Sequence, residues 1–171
     1  MSPDPRDRRK RRPKTVSVQS QVRFGPSPDD SHEVVYFRRH RDDDPDRSEP
    51  GRGALNSYPT TVRAKMRAVL VAVATAPPKK FSGGGYWEAM KGDMSGWFEV
   101  RADGPKRHHY RLFCLLDYDA MGHDKPLLVV IDGRDEPFRT VLSDDDYAAV
   151  RALGEEYKAR NPRSLAAGAS G

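Results

Sequence analysis

Three strand-like runs that follow one another at short intervals most constrain the fold of this chain. The runs cover residues 97–101, 110–116 and 126–131, and each is rich in β-branched, aromatic or aliphatic side chains. The segments between them, around Asp103-Gly104-Pro105 and over residues 119–124, are short and rich in turn formers. Short turn-rich connections join antiparallel neighbours, so the sequence predicts an antiparallel meander. Its third strand is apolar throughout and should be the most buried.

Helical patterns flank these strands on both sides. The first pattern has apolar residues at alternating spacings of four and three, at Val62, Met66, Val69, Val73 and Ala76. The second begins with the capping-box pattern of residues 143–146 and continues as one face through Tyr147, Val150, Leu153 and Tyr157. A further short helix is predicted over residues 86–91. The fold class is therefore α+β, a small antiparallel sheet packed by an N-terminal helix and a C-terminal helix.

The first third of the chain has a different composition. Residues 1–57 are rich in Arg, Asp, Pro and Ser, with a basic run at residues 8–12 and an acidic run at residues 42–46. Such a composition buries too little apolar area to offset the entropy of ordering, which predicts a largely disordered, low-complexity segment. One island at residues 33–37 is strand-like, and it either pairs with the main sheet or stays within the tail. The predicted organisation is a charged segment over 1–57, a domain over 58–163 and a flexible tail over 164–171.

Composition narrows the classes of function. The single cysteine, Cys114, forms no internal disulfide and reads as a small core residue, and no Cys/His cluster has the spacing of a zinc site. The longest apolar stretch, residues 69–76, is too short to span a bilayer, and no apolar segment follows the N-terminal basic residues. We therefore expect a cytoplasmic protein. A net charge of +5 and a pI near 9.4 favour polyanionic partners.

Two strand sequences carry a resemblance to a known family. Residues 90–101, Met-Lys-Gly-Asp-Met-Ser-Gly-Trp-Phe-Glu-Val-Arg, are similar to the family pattern L-x-G-x-L-x-G-x-W-E-L-R, and residues 110–114, Tyr-Arg-Leu-Phe-Cys, are similar to Y-R-[VL]-[FL]-[YF]. Together with the order of the elements, they resemble the RelE/ParE toxin superfamily, especially its HigB and phage-derived branch. The resemblance covers about residues 58–163.

The resemblance implies a function and a set of partners. Proteins of this kind are toxins of bacterial or phage toxin–antitoxin systems, and they cut mRNA, usually on the translating ribosome, by attack of a ribose 2′-hydroxyl on the adjacent phosphate. No metal or cofactor is needed, and a cognate antitoxin protein holds the toxin inactive. The chain departs from the family where the usual lysine pair is absent and where Asp135-Glu136 places acidic residues in a normally basic region.

Arg111 matches the arginine of the family's Tyr-Arg element and is the first catalytic candidate, because a guanidinium fork suits two phosphate oxygens. Alternatively, it pairs with Glu99 or Asp132 across the sheet. Strand alternation places Arg101 and Trp97 on one face with Glu99, where Arg101 is a further catalytic candidate and Trp97 could stack on a base. The same pattern also fits an ordinary half-exposed strand.

His108 and His109 are the candidates for moving protons, since histidine titrates near neutrality. Adjacent strand residues face opposite ways, so at most one of them reaches the site, and both could instead be exposed hairpin residues. Besides Trp97, the candidates for RNA binding are basic residues in the hairpin between the first two strands and in the segment after the third: Lys106, Arg107, Arg134 and Arg139. The last two could equally be part of a solvated loop.

Three functions remain open at this stage. The first is a metal-independent endoribonuclease toxin, acting through a basic face built from Arg101, Arg111 and the loop of Arg134 and Arg139. The second is a binding protein of the same fold that does not cut, either a gyrase inhibitor or a module that binds RNA or protein. The third is a nucleic-acid-binding protein whose function lies in the basic run at residues 8–12.

Overall fold

The computed structural model describes residues 25–76, 78 and 85–168. The basic run at residues 8–12 therefore lies outside the described residues. Within them the chain is an α+β fold with a five-stranded mixed sheet and three α-helices. In chain order the elements are β1 (Glu33–Tyr36), α1 (Pro50–Ser57), α2 (Thr60–Thr75), β2 (Trp87–Ala89), β3 (Trp97–Gly104), β4 (His108–Asp117), β5 (Leu127–Pro137) and α3 (Asp144–Lys158).

The strand order in the sheet is β1-β5-β4-β3-β2. The predicted meander is confirmed, since β3, β4 and β5 pair antiparallel in sequence order. The prediction of a wholly antiparallel sheet is wrong, because β1 lies parallel to β5, with Glu33 opposite Leu127 and Tyr36 opposite Val130. The apolar run of β5 is buried, and β1 supplies backbone partners along the edge that β4 leaves free. The strand-like island therefore pairs with the main sheet.

The prediction of disorder over residues 1–57 is wrong for the part that the structure describes, because α1 lies on the sheet. Leu55 is buried, and Gly51 meets β5 so closely that an added Cβ would lie 2.7 Å from Val130 Cγ1. Glycine thus lets this short helix approach the strand, which compensates for its few apolar residues. The helix packs through backbone proximity rather than through an apolar stripe.

The predicted first helix is confirmed as α2. With α1 it covers one face of the sheet, which we call the first face, and encloses a core that includes Val62, Met66, Leu70 and Leu112. The predicted short helix over residues 86–91 is wrong, because Trp87–Ala89 forms the edge strand β2. The Trp87 ring stacks on Phe98 at a centroid distance of 5.0 Å, so pairing with β3 overrides the local pattern.

The opposite side of the sheet, the second face, is covered over one half by α3. This helix begins with the predicted capping box, in which the Ser143 hydroxyl and the Asp146 backbone N–H and side chain satisfy one another. Its buried residues Val150 and Tyr157 belong to a core with Phe113, Leu115 and Val129. Its first turn lies beside the other half of the face, which is lined by charged side chains.

The segment after α3 returns to β1. The Ala166 N–H donates to the Tyr36 carbonyl at 2.9 Å, and Leu165 forms a bridge with Phe37. The prediction of a flexible tail from residue 164 is therefore wrong for residues 164–166, because their backbone is paired with the strand edge. Arg163 anchors this segment by donating from Nε to Asp117 at 2.8 Å.

Candidate functional site

The half of the second face that α3 does not cover carries most of the residues that the sequence singled out. Cα register places these side chains on one face, because residues directly opposite each other in neighbouring strands point the same way. We call this group the polar half, and it consists of Glu88 from β2, Glu99 and Arg101 from β3, His109 and Arg111 from β4, and Asp132, Arg134 and Glu136 from β5.

Arg111 lies at the centre of the polar half between two buried carboxylates. Its Nε and Nη2 donate to Oε1 of Glu136 at 3.1 and 2.8 Å, and its Nη1 donates to Oε2 of Glu99 at 2.9 Å. The side chains of Arg111, Glu99 and Glu136 are 14%, 9% and 5% exposed. Burial opposes the charged guanidinium, but the neighbouring carboxylates of Glu99 and Glu136 raise the pKa of Arg111 above its ordinary value. The cross-strand pairing considered for this arginine is therefore present, with Glu99 and Glu136 rather than with Asp132.

Side chains on β2 and β3 extend this arrangement into a row of alternating charges. Arg101 Nη1 lies 3.5 Å from Glu88 Oε2, and Arg101 Nε lies 3.7 Å from Glu99 Oε1. Alternating charges thus run across four strands, from Glu88 on β2 to Glu136 on β5. With all groups ionised, three carboxylates and two guanidiniums leave one net negative charge. The expected basic face is wrong in this respect, because each of its two central arginines is paired with acidic side chains.

Arg134 belongs to a second ionic cluster at the start of α3. Its Nη2 lies 3.2 Å from Asp132 Oδ2, and its Nη1 lies 3.3 Å from Asp146 Oδ1. Burial raises the pKa of Asp132, while the Gly133 N–H and Arg134 oppose that shift. Arg134 therefore ties β5 to the first turn of α3, and its positive charge is matched locally. This pairing accounts for the position of Arg134 without a ligand.

The two histidines separate as strand alternation requires. His109 shares the face of Arg111, and its Nδ1 lies 2.6 Å from Oδ1 of Asp103 while its ring lies 4.4 Å from the Phe138 ring. His108 points to the first face, where its Nδ1 is buried without a hydrogen bond and lies 3.4 Å from Asp135 Oδ2. Of the pair, only His109 is in the polar half. With Asp103 accepting from Nδ1, the Nε2 atom of His109 is free to exchange a proton.

Three further basic candidates lie at one rim of the polar half. Lys106 and Arg107 form the tip of the β3–β4 hairpin, and Arg139 follows β5. The Phe138 N–H donates to the Arg107 carbonyl at 2.7 Å, so the two segments lie side by side. All three side chains belong to exposed residues, and none forms an ion pair with another described residue. They are cations with their charge available to a ligand.

The prediction that Trp97 lies open on this face is wrong. Trp97 is 5% exposed, and it faces Gly154 of α3 so closely that a Cβ added there would clash with Trp97 Cζ2. Strand alternation placed Trp97 on the correct face, but α3 covers that half. Trp97 therefore contributes to the core and cannot stack on a base in this conformation.

Arg111 retains donors that its two carboxylate partners do not use. A guanidinium carries five N–H groups in one plane, and the contacts with Glu99 and Glu136 occupy three of them. The Tyr58 hydroxyl donates to the backbone carbonyl of Arg111 at 2.9 Å from the first face, which fixes the strand at this point. Two N–H groups on a rigidly held, 14% exposed side chain are thus left for an oxygen ligand.

Sequence reasoning missed Glu136 as a member of the site. Asp135-Glu136 stands out in the sequence only as a departure from the family, but alternation along β5 places Glu136 on the face of Arg134 and opposite His109. Tyr147, expected in the core, contacts Phe113 edge-on at a centroid distance of 6.1 Å. Burial raises its pKa, Arg111 opposes that shift and Glu99 adds to it, so its phenol also borders the polar half.

The remaining candidates do not form a metal or thiol site. Cys114 is fully buried in the core of the first face, and burial raises the pKa of its thiol. Within residues 25–76, 78 and 85–168, no cluster of three or more His, Cys, Asp or Glu side chains has the arrangement of a metal site. In the same part of the chain, none of the helices has the length and apolar character needed to cross a bilayer.

Comparison with known proteins adds no relative from which a role could be transferred: no family model, no curated protein and no solved structure matches this chain.

Proposed function

We propose that this protein is a metal-independent endoribonuclease of the toxin type, which cleaves mRNA, most effectively on the ribosome, and is held inactive in the cytoplasm by a cognate antitoxin protein. One observation carries the proposal. Arg111, with two unused donors, lies on the same face as His109, whose Nδ1 is held by Asp103 at 2.6 Å. The order of helix, meander and capped helix also agrees with the resemblance in residues 90–114.

These residues supply the parts that the reaction needs. Cleavage by an internal ribose hydroxyl needs a base for that hydroxyl, positive charge on the phosphate and an acid for the leaving 5′-oxygen. Arg111 would donate its free N–H groups to the phosphate oxygens, as a guanidinium does in other phosphate sites. His109 would deliver a proton to the leaving oxygen from Nε2. No step requires a metal ion.

The rim cations would bring the RNA to this site. Lys106, Arg107 and Arg139 have no acidic partner among the described residues, and they lie beside the end of the polar half that carries His109. Contacts with the phosphate backbone supply sequence-independent affinity that falls with salt concentration. We therefore assign substrate attraction to the rim and phosphate chemistry to Arg111.

The proposal is tested by brief induction in a bacterium, with growth measurement and mapping of new RNA 5′ ends. Wild type should arrest growth and create new ends within mRNA, whereas Arg111→Lys, which keeps the charge but loses the planar fork, should not. Arg39→Lys is the matched control, because Arg39 also pairs bidentately with a glutamate, at 2.9 and 2.7 Å from Glu156, but far from the polar half. Equal soluble protein levels must be verified. Arrest without new mRNA ends would refute cleavage.

A second candidate function is supported by the charge balance. Because Glu99 and Glu136 already neutralise Arg111, the centre of the polar half is less favourable to an anion than a free arginine would be. A protein of this fold that binds RNA, gyrase or another protein without cutting RNA would suit such a surface. Growth arrest that persists in Arg111→Lys, with intact mRNA, would support this candidate instead.

A further inference from the structure

Glu136 has an oxygen atom that the fold leaves without a partner. The residue is 5% exposed, and both of its contacts with Arg111 fall on Oε1. Its Oε2 is buried and accepts no hydrogen bond. A buried acceptor that lacks a donor is costly and rare in folded proteins, so its retention points to a donor that a ligand brings.

Glu99, on the other side of Arg111, differs in this respect. Its Oε2 accepts from Arg111 Nη1 at 2.9 Å, and its Oε1 lies 3.7 Å from Arg101 Nε. Both oxygens of Glu99 therefore lie near a cation, whereas Oε2 of Glu136 is buried without a hydrogen-bond partner. Of the two carboxylates that hold Arg111, Glu136 is the one with a buried oxygen that accepts no hydrogen bond.

We propose that Glu136 is the general base of this site and that its Oε2 takes the proton of the attacking ribose 2′-hydroxyl. The inference rests on the proposed function, since it names the base for that reaction. Glu136 and His109 are directly opposite each other in β5 and β4, and Arg111 follows two residues after His109. The base, the phosphate-binding cation and the acid thus lie at neighbouring positions on one face of two paired strands.

Oε2 of Glu136 removes the 2′-hydroxyl proton, the 2′-oxygen forms a bond to phosphorus, and the bond from phosphorus to the 5′-oxygen breaks. The 5′-oxygen leaves with a proton from Nε2 of protonated His109, which gives a 2′,3′-cyclic phosphate and a 5′-hydroxyl end. Exchange with water then returns Glu136 and His109 to their starting forms. The hydroxyl supplies the donor that Oε2 lacks.

Several charged groups face Glu136 and shape the pH dependence. They are Arg111 and His109 from β4, Glu99 from β3 and the Tyr147 phenol from α3. A carboxylate base makes the rate fall at low pH, because protonated Glu136 cannot accept the hydroxyl proton. Removing the base should remove this acid limb and lower the rate while affinity for an uncleavable RNA stays the same, whereas loss of a residue that only holds Arg111 in place should also weaken that affinity.

The test compares purified wild type, Glu136→Gln and Glu99→Gln on ribosomes programmed with a defined mRNA and on a short single-stranded RNA. Glu136→Gln should lower the cleavage rate by about 10²- to 10⁴-fold and abolish the acid limb, as expected for loss of a general base. Glu99→Gln should lower the rate less and keep that limb. Affinity for the same RNA with a 2′-deoxy linkage, which cannot be cleaved, should remain within a few-fold for all three proteins.

Each outcome decides between distinct claims. Cleavage by Glu136→Gln within tenfold of wild type, with the acid limb intact, would overturn the assignment of the base and leave the proposed function standing. No cleavage by wild type on either RNA would refute the proposed function and this inference with it. If Glu136→Gln unfolds, Glu136→Asp replaces it, because the shorter base should lower the rate while keeping an acid limb.

Discussion

Replacing Arg111 by alanine should destabilise the fold far more than its surface position suggests. The substitution removes the common partner of Glu99 and Glu136, which are 9% and 5% exposed. Deleting one member of a buried ionic group costs about 3–5 kcal/mol, because the remaining charges lose their partner in a poorly solvated place. Arg111 is itself 14% exposed, so water entering the gap offsets part of this cost, and we expect about 3 kcal/mol.

The assay is equilibrium unfolding in urea at pH 7, followed by fluorescence of the buried tryptophans. Arg101→Ala is the control, because Arg101 contacts the same Glu99 but its side chain is 42% exposed, and it should cost less than about 1 kcal/mol. For a domain of this size, about 3 kcal/mol also corresponds to a loss of roughly 10 °C in Tm. Equal stability of Arg111→Ala and Arg101→Ala would refute the reasoning.

A companion variant separates loss of pairing from loss of packing. Replacing Glu99, Arg111 and Glu136 together by apolar residues of similar volume should restore most of the stability lost in Arg111→Ala, because no unpaired buried charge remains. The triple variant should also be inactive. Arg111→Ala alone is thus a poor probe of activity, and for this reason the cellular test uses Arg111→Lys.

Three further predictions concern α3 and the segment that follows it. Gly154→Ala should lower Tm, because the added methyl group forces α3 away from Trp97. Such overpacking costs about 1–3 kcal/mol, and the better helix propensity of alanine offsets only part of that cost. Burial opposes the charge of Asp117, yet hydrogen bonds from Tyr157 and Arg163 hold its pKa below the ordinary value of 3.8. The ionised carboxylate therefore stabilises the fold above pH 3.8, and this stabilisation is lost as the pH falls through the lower pKa of the folded state. In Asp117→Asn, the free energy of unfolding measured in urea should change less as the pH is lowered. Ser143→Ala should cost about 1 kcal/mol in a thermal melt, through loss of the N-cap.

Local patterns in the sequence account for the meander, α2 and α3, because the apolar residues of each element recur at the spacing typical of a strand or a helix. They do not account for α1, whose contact with β5 depends on the missing side chain of Gly51. Nor do they account for β2, where Trp87 becomes a strand residue only by stacking on Phe98. Such elements are determined by partners far away in the sequence.

The candidate site also combines residues that local sequence predicts with one that depends on a distant strand. Alternation alone places Arg101, His109 and Arg111 on one face, as expected from the two strand sequences. The role of Glu136 depends on the register between β4 and β5, which includes an irregularity between Phe113 and Cys114. A shift of one residue reverses the face of every later side chain, so this register could not be read from the sequence.

The parallel pairing of β1 with β5 has a consequence for how a nascent chain acquires its structure. Glu33 pairs with Leu127, which follows it by 94 residues, so β1 cannot be fixed in place until nearly the whole domain has been synthesised. Contacts of such long range slow folding, since the intervening loop must be closed first. Residues 164–166 then pair with the other edge of β1. Completion of the sheet is therefore a late event in folding, and the pairing of β4 with β5 that brings Arg111 and Glu136 together can form before β1 joins the sheet.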